Sequence, residues 1–177
     1  MSNYPLFFEL NGISVPVEAN VEFNQDYEAL SSETWPPLRF MNGSGVKQTA
    51  WSGKLRTVLT GAGWMPAGLD GLDYSATMVL KCAGPRGISS ASNAITIPSA
   101  RRSDTGFAPY GYAIVGGKRV DSPVGLAGNV ATVTSVSGAT GYGVYYYPQM
   151  TVSAQAPRTT GNLVTGDFSW SLEAEEI

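Results

Sequence analysis

Apolar and polar residues alternate with a period of two along most of this chain, and a period of 3.6 is almost nowhere to be found. The pattern therefore predicts strands. Phe8 and Leu10 precede Asn11-Gly12, and Ile13, Val15 and Val17 follow it. Asn-Gly accepts the positive φ of a type I′ turn, so the chain is predicted to open with a hairpin. Trp35-Pro36-Pro37 interrupts any ladder, because two consecutive residues lack an N–H, and reads as a loop or an edge. From Gln48 to Thr60 the alternation resumes, with Trp51, Leu55, Thr57 and Leu59 on one face and Lys54, Arg56 and Val58 on the other.

Gly61 to Asp73 reads as a long glycine-rich loop, with room for a helical turn over Ala67 to Leu72. Ala76 to Ala83 is a buried strand that Gly84-Pro85-Arg86-Gly87 stops, and Ala94 to Ile97 is a short one. Gly116-Gly117 joins Phe107 to Val115 with Lys118 to Asp121 as a second hairpin. A third is expected where Ser137 to Gly141 separates Val130 to Val136 from Tyr142 to Tyr147. The last strand sets Phe168, Trp170, Leu172 and Ala174 against Ser169, Ser171, Glu173 and Glu175.

About ten short strands spaced by turns, without a helical stretch to cover a parallel sheet, call for an all-β fold: an antiparallel sandwich or barrel-like arrangement with long glycine-rich loops. The small polar stretch Ser89 to Asn93 is a candidate junction between an N-terminal β region, 1–88, and a C-terminal one, 94–177. One continuous domain stays open, because the terminal strand could return to pair with the first half.

Composition narrows the chemistry. The 177 residues include no His, which removes Ser-His-Asp and Cys-His relays and histidine metal sites. Cys82 is alone, so neither an internal disulfide nor a thiolate metal site is expected. Met1 to Pro16 has Glu9 and no basic residue, unlike a secretory signal, and no stretch approaches the roughly 18 apolar residues of a membrane span. Asn42-Gly43-Ser44 reads as a turn.

Acid–base work without histidine would fall to carboxylates, and Asp70 and Asp73 share the glycine-rich segment. Asp is equally at home capping a turn. Arg101-Arg102, with Arg86 upstream and Asp104 beside it, lacks the wider basic field that nucleic acid requires, and the net charge is −3. Tyr110, Tyr112, Tyr142, Tyr145, Tyr146 and Tyr147 form the main aromatic cluster; adjacent strand residues face opposite ways, so the run 145–147 cannot be wholly core. Charge is also segregated. Residues 1–50 carry six acidic and two basic residues, residues 51–102 the reverse, and the last eleven are acidic. Such blocks are either neutralised inside one chain or meet across a head-to-tail contact.

Four segments resemble small tail proteins of long-tailed bacteriophages: Gly63-Trp64-Met65-Pro66-Ala67-Gly68-Leu69-Asp70-Gly71-Leu72-Asp73-Tyr74; Lys81-Cys82-Ala83-Gly84-Pro85-Arg86; the run Gly141 to Val152; and Trp170-Ser171-Leu172-Glu173-Ala174-Glu175-Glu176. The resemblance implies an all-β, non-enzymatic virion component without cofactors, made in the host cytoplasm and assembled into a ring or part of the tail tip. Its partners would be copies of itself and neighbouring tail proteins, with no nucleic acid and no membrane. On that expectation Trp64, Met65, Leu69, Tyr145, Tyr147, Arg101, Arg102, Glu173 and Glu175 are contact residues. The runner-up is a β-sandwich that binds a host surface glycan through exposed tyrosines such as Tyr145 and Tyr147; a carboxylate-only hydrolase is a third class.

Overall fold

A computed structural model describes residues 7–32 and 37–177; the expectation at Trp35-Pro36 lies outside the described residues. The fold is all-β and antiparallel, and its one helical element among the described residues is a 3-10 turn, Val17–Ala19. Two compact units are interleaved in sequence: Met1–Ser14 with Val79–Met150, and Val15–Met78 with Thr151–Ile177. The division is thus not the expected 1–88 and 94–177, and Ser89 to Asn93 lies inside one unit. Short runs of sequence do not show which strands cross back.

In chain order the strands are β1 (Glu9–Leu10), β2 (Ile13–Ser14), β3 (Glu22–Leu30), β4 (Leu38–Arg39), β5 (Gly45–Val46) and β6 (Lys54–Gly63). There follow β7 (Met78–Lys81), β8 (Arg86–Ser90), β9 (Ala94–Thr96), β10 (Tyr110–Val115), β11 (Lys118–Ser122), β12 (Val124–Ala127), β13 (Val130–Val133) and β14 (Ala139–Tyr146). The chain closes with β15 (Gln149–Ala154), β16 (Arg158–Asn162) and β17 (Asp167–Glu176).

The unit built on Val79–Met150 includes the sheets β11-β10-β14-β8 and β12-β13-β9, besides the pairing β2-β1-β7. Ile95, Ile97, Ala131 and Val133 of the second sheet region meet Val144 and Tyr146 of the first in one buried cluster, with Ile88, Val124 and Tyr142 at its margin. Each fully buried aliphatic side chain contributes roughly 1.5–3 kcal/mol. Gly111 lets the layers close, since a Cβ there would lie 2.4 Å from Val124. Asn11 and Gly12, at φ 49° and 86°, turn β1 into β2, and Gly116 and Gly117, at φ 56° and 76°, turn β10 into β11; both hairpins are as expected. The third is not. β13 pairs with β12 and β9, while β14 pairs with β10 and β8, so the chain crosses between sheets over residues 134–138, and Ala139 to Gly141 already belong to β14.

In this unit the buried Arg102, 3% exposed, donates to the carbonyls of Phe7 (2.7 Å) and Cys82 (3.0 Å), pairs with Asp104, and lies 3.2 Å from the centre of the Phe107 ring. A buried cation persists only when so fully partnered. Lys81 pairs with Glu9 at 3.0 Å.

The other unit is a sheet in which β6 runs between β3 and β17, and β17 also pairs with β15 and β16. The terminal strand therefore returns to the first half. Its alternation is as expected, with Trp170, Leu172 and Ala174 buried. Thr57 and Leu59 are buried on β6, but Trp51 precedes the strand and is half exposed. The expected loop at Gly61 to Asp73 begins later, because β6 continues through Gly63. Both glycines serve close approach. Trp170 lies across Gly61, whose Cβ would come within 2.6 Å of the indole, and donates from Nε1 to the Ala19 carbonyl at 2.9 Å. A Cβ on Gly63 would sit 1.9 Å from the Glu18 carbonyl oxygen.

Gly63→Ala is expected to cost roughly 2–4 kcal/mol in urea unfolding, because the clash is with backbone that cannot rotate away. Gly71, where an added Cβ would meet nothing within 4 Å and φ is ordinary, is the control, and Gly71→Ala should change stability by under about 0.5 kcal/mol. Equal effects would refute the close-approach account.

Candidate functional site: a tyrosine face on one sheet

In the four-stranded sheet, cross-strand register decides which rings meet. Tyr110 opposes Tyr145, Tyr112 opposes Gly143 and Asp121, and Tyr145 opposes Gly87, so these side chains share the face turned away from the buried cluster. Two glycines set the ring positions. A Cβ on Gly143 would meet the Tyr112 ring at 2.3 Å, and one on Gly87 would meet Tyr145 at 2.9 Å. Each ring therefore lies over the backbone of its neighbouring strand.

Tyr110 and Tyr145 are 5.0 Å apart between ring centres, Tyr112 and Tyr145 5.3 Å, and Tyr110 and Tyr147 6.5 Å; Tyr147 in turn meets Phe107 edge-on at 5.0 Å. The row runs from buried to exposed. Phe107 and Tyr147 are buried, Tyr145 and Tyr112 half-buried, and Tyr110 36% exposed. At the open end the Arg119 guanidinium lies 5.3–5.8 Å from the centres of Tyr110, Tyr112 and Tyr145. Arg119 donates to Asp121 at 2.8 Å from Nε and lies 2.7 Å from it at Nη2. A cavity of about 370 Å³ opens beside Tyr110, Arg119, Asp121 and Pro123.

Tyr112 shares a hydrogen bond with Ser89 at 3.3 Å. Burial pushes the phenols of Tyr110 and Tyr147 above their ordinary value, and the neighbouring Tyr112 phenol does so for Tyr145. Arg119 opposes this at Tyr110 and Tyr145, because a cation favours the phenolate.

The other expected contact residues divide. Trp64 and Met65 are exposed, Glu173 is half-buried and Glu175 exposed. Leu69, Arg102 and Tyr147 are buried within the chain and present no surface. Leu69 is folded in by its own segment, where Tyr74 donates to its carbonyl at 2.9 Å. Tyr147 is covered because β14 ends at Tyr146 and the alternation lapses there. Arg101 is spent on the chain, donating to the carbonyls of Pro98 and Gly128 and to Asn129.

The charge blocks are met internally too: Arg56 pairs with Glu173 at 2.7 Å and approaches Glu28 and Glu175, and Lys54 donates to the Ile177 carbonyl. Asp73 caps a turn, accepting from the Ser75 amide and hydroxyl at 3.0 and 2.6 Å, which holds its carboxyl below the usual range. Among the described residues no group of three or more His, Cys, Asp or Glu could hold a metal ion, and no helix is long and apolar enough to cross a membrane. Arg119 and Asp121 are not singled out by the sequence reading; their signal is a charged pair two apart on the strand following the tyrosine strand.

Compared with protein-family models, curated proteins and solved structures, the chain matches none of them.

A folded-state phenol with a raised pKa stabilises the fold below the ordinary tyrosine value of about 10 and loses that contribution as pH rises through the raised value. Arg119→Ala removes the cation that favours ionisation. The tyrosinate absorbance of the cluster should then move to higher pH in an alkaline titration; a shift to lower pH would contradict the stacked geometry.

Proposed function

We propose that the protein is a non-enzymatic structural component of a bacteriophage virion, assembled as a ring or part of the tail tip or baseplate through loop and strand-edge contacts. One observation carries the assembly reading: two rigid hairpin tips hold adjacent apolar side chains out in solvent. Between β4 and β5, Phe40 and Met41 are exposed, Met41 completely. Their backbone is fixed by Phe40 N–H to the Ser44 carbonyl and Gly43 N–H to the Phe40 carbonyl, both 2.9 Å, and by Asn42 Oδ1, which accepts from Ser44 at 3.0 Å.

Between β16 and β17, Leu163 and Val164 are 91% and 95% exposed, while Asn162 Oδ1 accepts from the Val164 amide at 3.0 Å and Gly166 takes φ 74°. An ordered turn that presents two neighbouring apolar residues is suited to insertion into a partner surface. Among the described residues the nine-residue β3 is paired in the sheet with β6, and Glu22, Asp26 and Glu28 recur along it. The resemblance of the segments around Trp64, Lys81, Tyr145 and Trp170 supports the phage-tail assignment.

The purified protein should form a defined oligomer, or a stable complex with its neighbouring virion proteins, by mass measurement in solution. The pair Leu163→Asp and Val164→Asp should weaken that association at least about tenfold, since a carboxylate cannot follow the apolar side chain into a dry contact. A wild-type chain that stays monomeric at high concentration and binds none of those neighbours would sink the proposal.

A further inference from the structure

We propose that the face formed by Tyr110, Tyr112, Tyr145, Arg119 and Asp121 is a binding site for a neutral saccharide. This goes beyond assembly and rests on different residues.

The first ground is ring orientation. Tyr112 and Tyr145 lie close over Gly143 and Gly87, and both rings are half-buried. Tyr112 shares a hydrogen bond with Ser89 at 3.3 Å, and the rings stand 5.0–5.3 Å apart between centres. Arg119 lies over this row, and the ring surface left most open is that of Tyr110, beside the cavity. The C–H face of a pyranose ring packs on such a surface, and a preorganised platform loses little entropy on binding.

The second ground is the polar margin. A sugar stacked on rings still needs donors and acceptors at its edge, and Arg119 with Asp121 supplies both as one planar pair. Asp121 is largely exposed and Arg119 about half, so carboxylate oxygens and guanidinium N–H groups remain free for hydroxyls. The pair is electrically balanced, which disfavours a phosphate or an acidic sugar, whose charge would meet Asp121. The cavity of about 370 Å³ beside Tyr110 has room for one or two sugar rings. Tyr147, expected as part of such a platform, is buried and supports it from beneath the row.

The test is titration of the full chain with maltohexaose, cellohexaose and chitopentaose, followed by tyrosine fluorescence and calorimetry. At least one should bind, and Asp121→Asn and Tyr145→Ala should each weaken it about tenfold or more. Asp121 is exposed, so its variant keeps the fold even where the tyrosine variant does not, and thermal melting identifies any variant that fails to fold. The Leu163→Asp, Val164→Asp protein should bind the saccharide as the wild type does, which separates this site from assembly. The proposal is overturned if none of the three binds up to roughly 10 mM. It is overturned equally if binding survives Asp121→Asn, or if the face variants change the oligomer mass and leave saccharide binding intact.

Discussion

An aromatic ring laid across the glycine directly opposite it on the next strand is the contact on which both units depend. It occurs four times: Trp170 on Gly61, Phe168 on Gly161, Tyr145 on Gly87 and Tyr112 on Gly143. Glycine is a poor strand residue, costing about 0.5–1 kcal/mol relative to alanine. Here the missing Cβ makes space for a large flat group that would otherwise stand upright from the sheet. The ring covers backbone that glycine leaves bare, and its own orientation is fixed in return. Where the ring is Trp170 the result is burial, completed by the bond from Nε1 to Ala19 that holds the Val17–Ala19 turn against β6. With Tyr112 and Tyr145 the same contact lies on the outer face, and the result is a platform.

The two arginines at the ends of the aromatic row show how burial decides what a cation does. Arg102, nearly inaccessible, consumes its donors on two carbonyls and Asp104 and stacks on Phe107. All of its capacity goes into joining Phe7, Cys82 and the 102–107 segment within one unit. Arg119 lies farther from its rings, 5.3 Å from the Tyr112 centre against 3.2 Å between Arg102 and Phe107, and stands in solvent with a single carboxylate partner. An exposed pair of this kind contributes little stability, because solvent screens it. Its donors remain available, and that availability is what makes the open end of the row, and not the closed end, a binding surface.

Much of the fold was legible because the deciding signals are local. Asn11-Gly12 and Gly116-Gly117 need positive φ at both turn residues, and the alternation from Phe168 to Glu175 needs one dry face; neither depends on a distant partner. Gly61, Gly63, Gly87 and Gly143 were opaque for the opposite reason. A glycine that makes room for a ring has the same appearance in a sequence as one that bends a turn, and its partner lies far away in the chain. Ser137 to Gly141 misled similarly, since a corner between sheets and a hairpin share turn residues. Of the expected contact residues, Leu69, Arg102 and Tyr147 were lost to burial, which follows from loop packing and strand ends that periodicity does not encode.

The segregated charges of the sequence carry a related lesson. Acidic blocks at both ends and a basic block between them suggest complementary faces of two molecules, yet Arg56 meets carboxylates from Glu28 on β3 and from Glu173 and Glu175 on β17. The strands that are distant in sequence flank β6, and Arg56 meets these three carboxylates inside the unit. Electrostatic segregation along a β chain thus records strand order before it records a partner. The surface also carries features of another kind: apolar pairs on the tips at Phe40-Met41 and Leu163-Val164, and the exposed ring of Tyr110. Neither surface requires a net charge on its partner. A chain that keeps apolar and ring surface in ordered backbone is fitted to contacts of shape, where packing contributes more than long-range attraction to the choice of partner.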